Sequence, residues 1–169
     1  CNNFIMIKKY FELGSKVLFP LNRSITGTDT VKTLKIFKKI HPNLKIKFYK
    51  SGTKVFDWII PPEWNVKDAY VADNRGIKII DFKKNNLHLI GYSAPVDKTI
   101  NKKELLKKLF VSKKYKDAIP YITSYYKKIW GFCTSSNHKN EIIKKYQSKD
   151  KFKILIKSEY RKKKGKLPI

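Results

Sequence analysis

The stretch Ser51-Gly52-Thr53-Lys54-Val55-Phe56-Asp57-Trp58-Ile59-Ile60-Pro61-Pro62 is where the chain changes texture. Before it, apolar residues recur at helical spacing. After it, they come in short alternating runs divided by turn residues. Ser51-Gly52 reads as a turn, 54–60 as a strand, and Pro61-Pro62 as its stop.

Upstream, 3–19 reads as an amphipathic helix. Met6, Tyr10, Leu13 and Val17 share one stripe, Ile7, Phe11 and Leu18 lie beside it, and Pro20 ends it. A second helix is predicted over 30–40, with Val31, Leu34, Phe37 and Ile40 on its buried side and Thr28 or Asp29 as its cap. Residues 44–49 alternate as a half-buried strand. Downstream, strands are predicted at 67–72, 76–82 and 86–91, and Asp73-Asn74-Arg75-Gly76 forms a hairpin turn with Gly supplying φ > 0. Asn101 opens a helix, with Glu104 completing a capping box, Ile100 and Leu105 placed as a hydrophobic staple, and Leu105, Leu106 and Leu109 as its apolar face. Asn137 caps a short helix to about 146, and 152–157 is a last strand. Helix, helix and strand, resuming as a strand after a mainly β block, point to an α/β domain interrupted by an insertion.

The 169 residues carry 39 Lys+Arg against 13 Asp+Glu, a net charge of +26. Hydrophobic residues at 41% suffice for a core, so the charge does not mean disorder. Such a charge raises nucleic acid or an anionic surface as partner. However, only Arg23, Arg75 and Arg161 are arginine, the residue that reads phosphate and guanine bidentately. The lysines are spread as pairs, densest at 161–164, and with abundant Ile and Asn they read as AT-rich composition. Nucleic acid is therefore disfavoured. No apolar run reaches membrane-spanning length, which excludes a membrane-embedded class of this kind. The two cysteines, Cys1 and Cys133, make no disulfide framework, so a reducing cytoplasm is expected. The start at Cys1 and the stop at Leu167-Pro168-Ile169 lead us to expect a fragment.

Chemistry is sparse in the motifs. Cys133 with His138 could be nucleophile and base, or Cys133 a buried structural thiol beside Trp130 and Phe132. Asp57, Glu63, Asp68 and Asp81 could pair as carboxylates; Asp57, inside an apolar strand, stands out. Ser24 lacks a Gly-x-Ser-x-Gly elbow, the glycines are isolated, and His41, His88 and His138 are too scattered for metal-ligand spacing. Trp58, Trp64, Tyr70 and Tyr92 could stack sugars or bases, or form core. No catalytic residue and no metal ligand is assigned.

Longer strings are more specific. Leu18-Phe19-Pro20-Leu21-Asn22-Arg23-Ser24-Ile25-Thr26-Gly27, Ser51 to Trp58, Pro62-Glu63-Trp64-Asn65-Val66-Lys67-Asp68-Ala69-Tyr70, Asn86 to Val96, and Ile119 to Tyr126 running into Trp130-Gly131-Phe132-Cys133 follow one another in order. Together they resemble a bacterial aminopeptidase-like family with a zinc-aminopeptidase-type α/β domain, an inserted domain of unknown function and a C-terminal winged helix, often linked to polysaccharide biosynthesis. The resemblance implies a three-layer α/β domain opened by residues 1–52, a β-rich insertion at 53–150, and a return strand within 151–169. For the full-length protein it implies a hydrolase acting on a peptide or amino-acid conjugate with a free N-terminus. Two zinc ions held by His and carboxylates would activate water there, with a Glu as general base. Those ligand motifs would lie downstream, so no zinc is expected in this segment. Arg23, Trp64, Tyr70 and Tyr92 are the expected substrate-access residues. Two other classes stay open: a glycan- or peptide-binding module using exposed Trp64, Tyr70 and Tyr92, and a basic nucleic-acid binder. Self-association stays open as well.

Overall fold

The computed structural model describes residues 2–169, with side chains from Met6 onward; Cys1 lies outside the described residues. In chain order the elements are α1 (Asn2–Glu12), α2 (Thr28–Ile40), β1 (Phe48–Lys50), β2 (Lys54–Val55), β3 (Trp58–Ile59), β4 (Glu63–Ala72), β5 (Lys78–Asp81), β6 (Val96–Asn101), α3 (Lys102–Lys107), β7 (Leu109–Phe110), β8 (Phe132–Cys133), α4 (Ser136–Lys145), β9 (Lys151–Arg161) and β10 (Lys166–Pro168). They form two compact units. Unit 1 holds the chain up to Glu63 together with Arg161–Ile169, and unit 2 is Trp64–Tyr160.

This division differs from the expected 1–52, 53–150 and 151–169. The segment 54–60 stays with unit 1. The strand predicted at 152–157 is not the return: β9 lies inside unit 2's sheet, where Phe152, Ile154, Leu155 and Ile156 are buried. The return is the shorter Arg161–Ile169, and its β10 pairs antiparallel with β1, Phe48 opposite Pro168 and Lys50 opposite Lys166.

In unit 1, α1 continues through Leu13–Leu18 in wider turns, with Phe19 N–H donating to the Gly14 carbonyl five residues back (2.9 Å). Leu18 is the buried residue of this stretch; Met6, Tyr10 and Val17 of the apolar stripe are exposed. α2 begins after Gly27, whose φ of 102° suits glycine. Asp29 is not its cap: its carboxylate accepts from Asn22 N–H (3.0 Å) and Lys32 (2.8 Å). The strand expected at 54–60 is a two-by-two hairpin, β2 against β3, with Phe56 and Asp57 as its turn. Phe56 has φ 53° and is 93% exposed. Gly165 is packed so tightly that a Cβ there would fall 1.9 Å from the Arg161 carbonyl oxygen.

In unit 2, one four-stranded sheet runs in the order β5-β4-β9-β6. β6 and β9 pair antiparallel over six positions, from Val96 opposite Ile156 to Asn101 opposite Lys151. The β4–β5 turn is the one expected. Gly76 has φ 80°, and Asp73 Oδ1 accepts from Arg75 N–H and Ile77 N–H at 3.0 Å each. The predicted capping box forms: Glu104 N–H donates to Asn101 Oδ1 (2.9 Å) and Asn101 N–H to Glu104 Oε2 (3.3 Å), with Ile100 and Leu105 buried. α4 is capped by Ser135, whose Oγ accepts from His138 N–H (3.1 Å), and not by Asn137. Residues 86–91 are no strand, because Asn85 Oδ1 takes Leu87 N–H (3.0 Å) and turns the chain into a single helical turn at Asn86–His88. Trp64, Ala69, Val71, Ile80, Phe152 and Ile154 are buried and lead the core of unit 2.

Candidate functional site

Polar chemistry in unit 2 is tied into structure. Cys133 is fully buried, which pushes its thiol up to about 11. The His138 ring bonds through Nδ1 to Thr134 Oγ1 (2.9 Å), so Cys133 and His138 do not form the nucleophile–base pair that their spacing allowed. His88 Nδ1 bonds to the Cys133 carbonyl (2.8 Å). Burial holds His138 below the ordinary imidazole value; Glu141 opposes the shift and His88 adds to it. The candidate carboxylates do not gather. Glu63 meets Arg161 (3.7 Å), Asp68 meets Lys83 (3.7 Å) and Asp81 meets Lys78 (3.5 Å), each a separate ion pair. Asp57 is not in an apolar strand but exposed in the hairpin turn. Among the described residues no group of three or more His, Cys, Asp or Glu could hold a metal ion. These residues therefore do not fit a zinc centre, and no step is assigned to one.

The four substrate-access candidates separate by burial. Trp64 and Tyr92 are 2% and 0% exposed and stack at 5.6 Å, with Tyr125 edge-on to Tyr92 at 5.0 Å. Tyr92 takes a positive φ of 62°, held in place because its carbonyl accepts from Tyr160 OH (2.5 Å). The next carbonyl, Ser93, accepts from Trp64 Nε1 (3.1 Å) and Ser158 Oγ (2.8 Å). This cluster is core, so the exposed rings that a glycan- or peptide-binding module required are missing at Trp64 and Tyr92. Tyr70 is half-buried beneath Lys78 Nζ, 4.4 Å from its ring centre.

Arg23 is exposed on the loop between α1 and α2. That loop is built: Arg23 N–H donates to Leu21 O (2.9 Å), and Thr30 Oγ1 reaches back to the carbonyls of Ser24 (2.7 Å) and Thr26 (3.1 Å). Thr26 is buried, and Ser24 Oγ is buried with no hydrogen-bond partner among the described residues. The loop thus presents the Arg23 side chain, exposed and with no ion-pair partner among the described residues, on a fixed backbone, an arrangement suited to an anionic group. Phe56 escaped the sequence reading, because Lys54-Val55-Phe56-Asp57-Trp58 scans as a strand and nothing in it announces a positive φ. The pairing of Lys50 with Lys166 escaped it too, since more than a hundred residues separate them.

Comparison with known proteins places these features. A family model described as a domain of unknown function, DUF2172, matches residues 63–159. The chain is 54% identical over 125 residues to a Clostridium acetobutylicum protein named as a polysaccharide biosynthesis protein with an aminopeptidase-like domain. The match covers 74% of this chain and 29% of that protein. It is also similar to the crystal structure of a protein from Clostridium acetobutylicum named as a peptidase, with a TM-score of 0.79 and 43% identity over 96% of this chain and 39% of that one. The chain spans well under half the length of both relatives.

Proposed function

The chain belongs to the family that carries DUF2172, a domain of unknown function, and from that premise we propose that it forms the N-terminal part of an aminopeptidase-like hydrolase serving polysaccharide biosynthesis in the cytoplasm. What carries the reading is the likeness to the peptidase structure over 96% of the chain at 43% identity, which embraces residues outside DUF2172 as well as within it. Unit 1 supports it physically. Its helices and hairpin expose Met6, Ile7, Phe11, Phe19 and Ile59, apolar surface of the kind a larger domain would bury. In this reading unit 1 opens a three-layer α/β peptidase domain, unit 2 is inserted into it, and zinc is bound by ligands beyond the residues described.

The substrate class is a peptide or amino-acid conjugate with a free N-terminus. Arg23 of unit 1 and Tyr70 of unit 2 each keep a substrate-access role in this reading, while Trp64 and Tyr92 serve as core of unit 2. Hydrolysis itself is assigned to none of these residues.

Zinc content and hydrolysis of a chromogenic amino-acid amide, measured on the 169-residue chain and on a protein extended to its relatives' length, test the proposal. Zinc and activity are expected in the longer protein alone. Stoichiometric zinc in the 169-residue chain would sink the incomplete-site reading, and a zinc-loaded longer protein without activity would sink the hydrolase reading. In the longer protein Arg23→Ala is expected to lower kcat/KM about tenfold, worth about 1.4 kcal/mol; an unchanged value removes Arg23 from the site.

A further inference from the structure

Unit 1 carries a second feature that the hydrolase reading does not use. β1 and β10 bring Lys50 and Lys166 directly opposite one another. Residues paired across an antiparallel ladder share a face, and like charges at such a position destabilise it. Neither side chain has an ion-pair partner among the described residues, in a chain where most carboxylates do. Lys163 and Lys164, from the turn leading into β10, join them around a pocket of about 240 Å³ lined by Phe48, Lys50, Lys163, Lys164, Gly165 and Lys166. All four lysines are exposed, and no acid lines the pocket. The nearby Glu63 carboxylate is already engaged, by Arg161 (3.7 Å) and by Lys166 N–H (3.1 Å). Phe48 is 49% exposed, with Lys166 Nζ 5.8 Å from its ring centre.

Four lysines lining one pocket, with no carboxylate among its lining residues, repel one another when it is empty and are compensated by an anion within it. The volume falls below that of drug-sized sites, which begin near ~300 Å³, so a small ligand fits and a duplex does not. The exposed ring adds a flat apolar contact such as the carbon face of a pyranose offers. We propose that Phe48, Lys50, Lys163, Lys164 and Lys166 bind a small phosphorylated sugar, the lysines taking the phosphate and Phe48 the ring. The site is independent of the hydrolase reading, because its ligand and residues are separate.

The test titrates the full 169-residue chain with glucose 1-phosphate, inorganic phosphate and glucose, read by calorimetry and by melting temperature. Glucose 1-phosphate is expected to bind one to one and raise the melting temperature, inorganic phosphate to bind more weakly, and glucose not to bind. K50Q/K166Q is expected to weaken binding at least about tenfold without lowering the melting temperature of the free protein, since it removes a repulsion. K163Q/K164Q, in the turn, should weaken binding similarly, so the proposal stays testable should the strand variant fail to fold. Phe48→Ala should bring glucose 1-phosphate down to the level of inorganic phosphate. The control K144Q/K145Q on α4 should change nothing. The proposal falls if glucose 1-phosphate does not bind, if the control weakens it as much as the pocket variants, if Phe48→Ala spares the preference for the sugar, or if a short RNA binds with a steep salt dependence that glucose 1-phosphate cannot compete.

Discussion

Units 1 and 2 are drawn from the same lysine-rich composition and use their apolar residues in opposite ways. Unit 2 exposes Ile77, Tyr115, Tyr121 and Tyr126 but buries a large aromatic and aliphatic set: Trp64, Tyr92, Phe132, Phe152 and Ile154 are at most 2% exposed. Among the described residues of unit 1 the buried aliphatic side chains are Leu18, Ile60 and Leu167, while Phe11, Phe19, Phe56 and Ile59 are each more than half exposed. Amphipathicity alone therefore does not make a core. A helix stripe stabilises a fold only when another layer covers it, and in unit 2 the apolar residues Leu105 of α3 and Ile142 of α4 are buried. The difference teaches that the same composition gives unit 2 an aromatic core and leaves the apolar stripe of unit 1 largely on its surface.

The largest test sets equivalent truncations against each other. Phe152→Ala, in the sheet of unit 2, is expected to cost about 3–5 kcal/mol, whereas Phe11→Ala on the exposed stripe should stay within about 0.5 kcal/mol. Denaturant unfolding checks both, and a costly Phe11→Ala would show that unit 1 has a core after all.

A middle-sized effect sharpens the comparison within unit 2. Asp73 is buried, which would raise its pKa, but the Arg75 guanidinium and the N–H groups of Ile77 and Arg75, with Tyr146 OH (3.1 Å), outweigh that and hold it below 3.8. A carboxylate depressed in the folded state stabilises the fold above its unfolded value, and that contribution is lost as pH falls below about 3.8 through the folded value. Asp73→Asn should cost about 1–3 kcal/mol at pH 7 and flatten the acid limb of a stability–pH curve; an unchanged acid limb would remove Asp73 as its source.

The smallest effect has the opposite sign. Phe56→Gly should stabilise the β2–β3 hairpin by up to about 1 kcal/mol, because glycine takes a φ of 53° without strain. A loss of stability there would mean that the exposed ring has a covering partner.

Local chemistry was legible in the sequence and long-range pairing was not. The Asn101–Glu104 capping box and the Asp73–Gly76 turn need only a few adjacent residues, and both formed as read. The change of texture near residue 52, from helical spacing to short strands, was legible as well. The far boundary of the strand-rich block was not. Phe152 to Ile156 reads identically as the host's return strand or as a central strand of the insertion, since alternation shows that a strand is half-buried and not what it pairs with. The true return strand, Lys166–Pro168, is three residues long and ends in proline, too short to carry a pattern. At the site level the burial of Cys133 was legible from its aromatic neighbours. The burial of Trp64 and Tyr92 was not legible, because an alternating aromatic looks the same facing core or solvent, and the lysine pocket depends on a pairing no local window contains.

One ion pair has a wider consequence. Glu63 and Arg161, the residues flanking Trp64–Tyr160 on either side, lie 3.7 Å apart, and Trp64 and Ser158 just inside them share the Ser93 carbonyl. To the host chain the whole intervening segment therefore behaves as a short connection whose two ends already meet, with little loop-closure entropy left to lose. Such a segment is a cassette: it can be gained, exchanged or removed in evolution, or transplanted by an engineer, without asking the host strands to move.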